Sequence, residues 1–271
     1  MRILRKERML SLDLKRAYYR SSDTSVLQEI ALQLDAGELV ALIGANGCGK
    51  STLLKCLAGL HSGMEGEVTL DGKTSSAWSL KERAERLAYL PQSVTPAFSF
   101  TVEEVIQLSR YHRVGQDNTE DKSKRVQVVS TAMEIEPLLH RAVDELSGGE
   151  WQRVAIARAV MQDAHFLLLD EPTAHLDLSH RLALFRNCRQ WASAGKGILC
   201  ATHDLDAALE YADRIMVLHQ GRLECAGKPE EVIHEEMIGR VFGETRVEIL
   251  QNPLSQRPQV VIDSREEKGS G

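Results

Sequence analysis

Residues 44–51 combine glycines, a lysine and a hydroxyl group at a spacing that suits phosphate binding. They read Gly44-Ala-Asn-Gly-Cys-Gly49-Lys50-Ser51, which satisfies the pattern G-x4-G-K-[ST]. Glycines let the backbone wrap around a phosphate, so that N–H groups and the positive end of the next helix face it. We expect Lys50 to bridge the β- and γ-phosphates of a nucleotide and the Ser51 hydroxyl to ligate Mg²⁺. The expected nucleotide contacts are Gly44, Asn46, Gly47, Cys48, Gly49, Lys50, Ser51 and Thr52.

The surrounding sequence supplies the context that a phosphate loop requires. Residues 38–43 are apolar on both faces, as expected of a central parallel strand, and residues 52–58 have a helical pattern. The order is therefore strand, glycine-rich loop, helix. A second Gly-Lys-Thr at residues 72–74 lacks the required earlier glycine, because Glu67 occupies that position. We interpret it as a hairpin turn.

Two adjacent acids follow another apolar run, which reads Phe166-Leu-Leu-Leu-Asp170-Glu171-Pro172. At the carboxyl end of a central strand, Asp170 would reach the Mg²⁺ from the side opposite the loop. Glu171 would lie where a carboxylate can orient the attacking water or accept its proton. Alone, such a pair more often forms a solvated acidic turn. Together with the phosphate loop, it favours a nucleotide-hydrolysing site.

Composition limits the partners of this chain. Its 33 Lys and Arg against 39 Asp and Glu give a net charge of −6, and without a dense basic stretch there is no electrostatic footprint for nucleic acid. Five cysteines, none in a CxxC pattern, suit free thiols in a reducing compartment. No window approaches the ~18 apolar residues of a membrane span, so we expect any membrane role to depend on a partner. The start of translation stays open between Met1 and Met9.

The order of the predicted elements indicates an α/β protein. Strand patterns at residues 166–169, 197–201 and 214–218 alternate with helical patterns near 178–192 and 205–211, which predicts a mostly parallel sheet covered by helices. Residues 10–17 and 26–34 alternate as strands with one buried face. Between about residues 97 and 163 only helical segments occur, so this region is predicted to be a helical insert. Residues 264–271 are predicted to be a disordered tail.

A third motif brings a family resemblance. Residues 146–153 read Leu-Ser147-Gly148-Gly149-Glu150-Trp-Gln-Arg, which resembles the signature motif of ATP-binding cassette (ABC) proteins, at the expected place before Phe166. Ser147 and the two glycine N–H groups would begin a helix and bind a γ-phosphate. Glu150 stands where glutamine is usual, but many members of the family carry glutamate there. The resemblance covers about residues 10–245.

The resemblance implies roles for further residues. Gln92 resembles the Q-loop glutamine, which contacts Mg²⁺ and water. His203 resembles the switch histidine that contacts the γ-phosphate. Residues 174–177 (Ala-His-Leu-Asp) resemble the D-loop, which crosses to the partner subunit. Either Tyr19 or Tyr18 would stack on adenine, with Tyr19 as our assignment.

The resemblance to ABC proteins also implies a fold and an oligomeric state. We expect a phosphate-loop NTPase with a RecA-like core, an antiparallel β subdomain and a helical subdomain at about residues 97–163, all within an ATPase domain of residues 1–245. Residues 246–263 would be a C-terminal extension. In this family each ATP lies between the phosphate loop of one subunit and the signature of the other, so two chains would form a homodimer with two sites.

Three short segments indicate which subgroup of ABC proteins this chain resembles. Residues 100–111, 203–208 and 212–222 are similar to the corresponding segments in importers of iron-siderophore, haem and cobalamin. This resemblance implies an ATPase on the cytoplasmic face of the plasma membrane, bound to integral membrane permeases and indirectly to a substrate-binding protein. Alternatives are an ABC ATPase for another substrate, or one acting on DNA or ribosomes. A phosphate-loop kinase or GTPase would explain residues 44–51 but not the signature.

Overall fold

The computed structural model describes residues 8–18, 25–93, 99–113, 118–244 and 246–262. Tyr19 and the predicted tail at residues 264–271 lie outside these ranges, as does Met1.

Twelve strands and nine α-helices make up the described part of the chain. The strands are β1 (Met9–Tyr18), β2 (Ser25–Asp35), β3 (Leu39–Ile43), β4 (Met64–Leu70), β5 (Lys73–Thr74), β6 (Leu87–Leu90), β7 (Phe166–Asp170), β8 (Gly197–Ala201), β9 (Arg214–His219), β10 (Arg222–Gly227), β11 (Val247–Gln251) and β12 (Pro258–Ile262). The helices are α1 (Lys50–Leu57), α2 (Leu80–Ala84), α3 (Val102–Leu108), α4 (Thr119–Ala132), α5 (Gly148–Met161), α6 (Leu178–Ser193), α7 (Leu205–Tyr211), α8 (Pro229–Val232) and α9 (Glu235–Phe242).

A six-stranded sheet with the order β10-β9-β3-β8-β7-β6 forms the centre. Its neighbours are parallel except for the antiparallel pair β9 and β10. Every residue of β3, β7 and β8 is buried, which explains why these strands are apolar on both faces. In the register, Ala201 lies beside Leu42 on one side and beside Asp170 on the other. The carboxyl ends of β3, β7 and β8 therefore meet at one edge.

A four-stranded antiparallel sheet, with the order β2-β1-β4-β5, is the second layer. Leu10, Leu12 and Leu14 are almost completely buried and share a hydrophobic cluster with residues of α1, as their alternation in the sequence predicts. The turn between β4 and β5 has positive φ at both Asp71 and Gly72, as a two-residue hairpin turn requires. The prediction of a hairpin turn at residues 72–74 is confirmed.

Helices α3, α4 and α5 fill the chain between β6 and β7 and pack against one another. Side-chain caps fix where they begin: Thr101 accepts from Glu104 N before α3, and Asn118 accepts from Asp121 N before α4. The predicted α/β class, with a separate antiparallel sheet and a helical insert, agrees with this architecture.

Five elements after β9 have no counterpart in the sequence analysis, namely β10, α8, α9, β11 and β12. The hairpin of β11 and β12 is attached to α7, because the Ser255 hydroxyl donates to Glu210 Oε2 at 2.6 Å and Arg257 donates to the Ala212 carbonyl at 3.0 Å. Helix α9 begins where His234 Nδ1 accepts from Met237 N. These short elements depend on contacts with distant parts of the chain, which local patterns do not reveal.

Gly197, the first residue of β8, packs closely against β7 and the end of β2, and a substitution there tests this packing. A Cβ atom on Gly197 would lie 2.5 Å from Phe166 Cδ1 and 2.7 Å from the Asp35 carbonyl oxygen. We expect Gly197→Ala to lower the free energy of unfolding by about 1–3 kcal/mol through overpacking, measured by urea denaturation. Gly148→Ala is the control, because its Cβ would meet only ordinary contacts, the nearest at 3.8 Å from His175. A loss below about 0.5 kcal/mol for Gly197→Ala would contradict the packing described.

Candidate functional site

The loop of residues 44–49 joins the buried strand β3 to helix α1. Its glycines are required by conformation and by close contacts. Gly44 has φ +154°, and a Cβ there would lie 2.2 Å from the Leu218 carbonyl oxygen. Gly49 has φ +111° and precedes α1, and its Cβ would lie 2.6 Å from Leu27 Cδ2. A side chain at Gly44 would displace the backbone of Leu218, and at both positions φ lies in a range that L residues rarely adopt.

Lys50 is the first residue of α1 and is almost completely buried. Its ammonium group donates to the carbonyl oxygens of Gly44 at 2.8 Å and Ala45 at 3.2 Å. These hydrogen bonds hold a fixed positive charge inside the loop. A lysine so placed can interact with a phosphate group wrapped by the same loop.

Asp170 lies at the end of β7, and its two carboxylate oxygens have separate partners. Ser51 Oγ donates to Asp170 Oδ1 at 2.9 Å, and Tyr89 Oη donates to Asp170 Oδ2 at 3.1 Å. Among the described residues, no Lys, Arg or His forms an ion pair with this carboxylate. A partly buried hydroxyl in contact with a buried carboxylate offers the oxygen ligands that Mg²⁺ prefers.

Burial raises the pKa of Asp170 above its ordinary value, and the negative charge of Glu171 acts in the same direction. The hydrogen bonds from Ser51 and Tyr89 oppose this shift. The cause is the cost of taking a charge out of water. A divalent cation would offset that cost.

Glu171 is held between two side chains from different parts of the chain. Gln92 Nε2 donates to Glu171 Oε2 at 2.7 Å, and His203 Nε2 lies 2.6 Å from Glu171 Oε1. The backbone of Glu171 has φ +50°, a left-handed conformation that turns the chain sharply after β7. His203 is the second residue after β8, so the parallel register of β7 and β8 brings it to Glu171.

These groups line an open cleft of about 680 Å³. The lining residues are Val26, Asn46, Gly47, Gly49, Lys50, Ser51, Thr52, Gln92, Glu171 and His203. Most of the residues that the sequence analysis assigned to the nucleotide or to catalysis therefore lie together. Cys48 packs beside them with 9% of its surface exposed, and burial raises the pKa of its thiol.

Two neighbours were not singled out by the sequence analysis. Val26 lies on β2, in the other sheet, and Tyr89 lies on β6 beside Leu168 of β7. Tyr89 could be found only from the pairing of β6 with β7, since nothing in its own neighbourhood distinguishes it. The aromatic residue assigned to adenine, Tyr19, is outside the described residues. Its alternative Tyr18 ends β1, and its hydroxyl donates to Glu65 Oε1 at 3.1 Å.

The signature residues lie apart from this cleft. Ser147 precedes α5, and none of Ser147, Gly148, Gly149 and Glu150 is among the residues that line the cleft. Glu150 Oε2 accepts from the backbone N–H of Ser147 at 2.8 Å and from its hydroxyl at 2.7 Å, which closes a capping box. The hydrogen bond from the Ser147 backbone lowers the pKa of Glu150. Glu150 thus organises the start of α5.

Comparison with known proteins decides the family. The sequence profile of the ABC transporter family matches residues 27–174, which span the phosphate loop, the signature and the acidic pair. The chain belongs to the ABC transporter family. It has the fold of an ABC ATPase, and like the ATP-binding subunits of that family it is an ATPase that binds ATP.

Individual proteins of the family are similar to this chain over most of its length. The hemin import ATP-binding protein HmuV of Streptomyces coelicolor is 41% identical over 84% of this chain and 81% of its own. The protein of the same name from Hahella chejuensis is 39% identical over 89% of this chain and 95% of its own. A solved dimeric structure of a bacterial ABC transporter cassette superposes with a TM-score of 0.73 at 27% identity, covering 81% of this chain and 98% of that one. In the described part of the chain, no helix is long and apolar enough to cross a membrane.

The buried carboxylate gives a prediction with opposite signs for stability and activity. In the folded protein Asp170 ionises at a higher pH than in the unfolded chain, so its contribution to stability falls as the pH rises through the raised pKa. At pH values above that pKa, we expect Asp170→Asn to raise the melting temperature of the nucleotide-free protein. At acidic pH, where Asp170 is protonated, we expect no increase. The variant should also lose Mg²⁺-dependent ATP hydrolysis. Calorimetry across pH and a phosphate-release assay measure the two effects.

Asp163→Asn is the matched control. Burial acts to raise the pKa of Asp163, but Lys196, Arg125 and Arg110 outweigh it and lower that pKa. This variant should therefore lose stability at neutral pH, and the loss should disappear as the pH falls toward acid. If Asp170→Asn behaved like this control, or kept full activity, the account of Asp170 would be wrong.

Proposed function

We propose that this chain is the ATP-hydrolysing subunit of a bacterial importer for haem or a related iron complex. The observation that carries the proposal is the joint placement of Lys50, Ser51 with Asp170, and Glu171 around one cleft. The two relatives described above, which match more than four fifths of this chain, carry the name of a hemin import protein, and this supports haem over a siderophore or cobalamin.

The roles of the residues follow from their positions. The backbone amides of residues 46–52 and the Lys50 ammonium would bind the phosphates of ATP. Ser51, Asp170 and Gln92 would hold Mg²⁺, which neutralises charge on the phosphates when bound. Glu171 would orient the attacking water and accept its proton, since Gln92 and His203 fix both of its oxygens. His203 would then lie beside the γ-phosphate.

A single chain offers only half of a complete site. Ser147, Gly148, Gly149 and Glu150 begin α5 away from the cleft. We infer that two chains sandwich two ATP molecules, each between the phosphate loop of one chain and the signature of the other. A twofold axis makes both sites equivalent and closes the assembly. Hydrolysis would remove the γ-phosphate that joins the two chains and let them separate.

The remaining parts of the proposal concern the membrane. We place the dimer on the cytoplasmic face of the plasma membrane, bound to two integral permease subunits that receive haem from a substrate-binding protein. Residues 1–245 would form the ATPase domain, with its helical part at about residues 97–163 carrying the groove for the permease. Residues 246–263 would extend it.

The substrate is tested by reconstitution. The chain should co-purify with one of a set of candidate permeases, and haem-loaded binding protein should stimulate ATP hydrolysis by this complex in proteoliposomes. Binding protein loaded with cobalamin or a ferric siderophore serves as the comparison. Stimulation by either of those and not by haem would overturn the haem assignment while leaving the importer assignment in place.

The role of Glu171 is tested by Glu171→Gln. The variant keeps the shape, and its amide oxygen can still accept the hydrogen bond from Gln92 Nε2. It cannot take up a proton, so ATP should bind and remain intact. We expect a stable dimer with ATP and Mg²⁺ and a monomer with ADP, measured by light scattering during size-exclusion chromatography. Adding Lys50→Ala should abolish this dimer, because phosphate binding is lost. A monomer that hydrolyses ATP at the wild-type rate would refute the assignment.

A further inference from the structure

The start of α5 is packed directly against the loop that follows Glu171. A Cβ atom on Gly149 would lie 2.9 Å from the His175 carbonyl oxygen, so the helix and the loop approach as closely as glycine permits. A Cβ on Gly148 would contact the His175 side chain at 3.8 Å. His175 itself has φ +65°. The two segments therefore fit each other through backbone contact.

Gln152 adds a specific bond to this contact. It lies on the first turns of α5 and is only 7% exposed, which is unusual for a glutamine. Its Nε2 donates to the carbonyl oxygen of Pro172 at 3.0 Å. Pro172 is the residue directly after Glu171. A buried amide bonded to a buried carbonyl resists separation, because either group alone would lose a hydrogen bond away from water.

The far end of α5 is anchored in a similar way. Gln162, which ends the helix, donates from Nε2 to the carbonyl oxygens of Ala84 at 2.8 Å and Leu87 at 2.9 Å. Both carbonyls flank the start of β6, at the end of the sheet opposite to the nucleotide cleft. Both ends of α5 are therefore held by glutamine side chains. The end that carries Gln152 contacts the segment after Glu171, and the end beside Gln162 contacts the start of β6.

We propose that Gln152 is a positioning residue that makes the signature and the loop after Glu171 move as one unit. This inference rests on the proposed dimer, in which Glu171 serves the ATP of its own chain and Ser147 closes on the ATP of the partner chain. Gln152 contacts neither nucleotide. It links the two sites within one subunit, so that closure of the signature on one ATP sets Glu171 at the other.

The test compares Gln152→Leu with Gln162→Leu in the full-length protein. Both variants remove a glutamine amide from α5 and leave backbone carbonyls without that donor, so both should lower the melting temperature. Only Gln152→Leu should lower kcat, by at least about fivefold, since misplaced catalytic groups lose rate steeply. The affinity of the monomer for ATP, measured by titration calorimetry, should stay within about twofold of wild type.

A second readout uses the Glu171→Gln background. There, Gln152→Leu should weaken the ATP-bound dimer, measured as a higher dissociation constant in analytical ultracentrifugation, and Gln162→Leu should not. If Gln152→Leu does not fold, Gln152→Met keeps the length of the side chain but has no donor for Pro172 O, and the same two losses are expected from it.

The outcomes separate the inference from the proposed function. If Glu171→Gln alone forms no dimer with ATP, the proposed dimer fails, and the inference fails with it. If that dimer forms but the Gln152 and Gln162 variants change kcat and the dimer equally, Gln152 has a structural role only and the inference is overturned.

Discussion

The parallel pairing of β3, β8 and β7 is the constraint on which the site depends. Because these strands run in the same direction and are in register, their carboxyl ends place the phosphate loop, His203 and the acidic pair at one edge of the sheet. Parallel strands need crossover connections that cover both faces, and every residue of these three strands is buried. The burial that stabilises the sheet also fixes the positions of the chemical groups at its edge.

Two charged side chains at that edge of the sheet are buried, although charged groups are more stable in water. Lys50 and Asp170 are both withdrawn from water. Among the described residues their partners are neutral, since Lys50 donates to loop carbonyls and Asp170 accepts from the hydroxyls of Ser51 and Tyr89. Isolated buried charges are costly. Phosphates with a divalent cation supply charges of the sign that each group lacks. The nucleotide-free protein thus holds its binding groups in place at some expense of stability.

Much of this site could be predicted from the sequence, because its residues occur in short runs whose local structure is determined by their own chemistry. Residues 44–51 require glycines for their backbone, and the run from Phe166 to Asp170 is apolar enough to be a buried strand. The Gly-Lys-Thr at residues 72–74, which lacks the earlier glycine, forms a hairpin turn and not a phosphate loop. No prediction was made for residues and elements whose position depends on pairing between distant parts of the chain. Tyr89, Val26 and the hairpin of β11 and β12 are placed by strand register and by contacts across the fold. Gln152 also gave no signal, since only the packing of α5 on Pro172 distinguishes it.

The proposed sharing of each ATP site between two chains can be tested by mixing two inactive variants. Lys50→Ala removes phosphate binding by the loop, and Ser147→Arg blocks the signature, so neither homodimer should hydrolyse ATP. In a mixed dimer, the intact loop of one chain faces the intact signature of the other. We expect an equimolar mixture to recover up to about a quarter of wild-type ATPase activity, because half of the dimers are mixed and each mixed dimer has one intact site of two. Activity that stays at the level of the separate variants would contradict the proposed sharing.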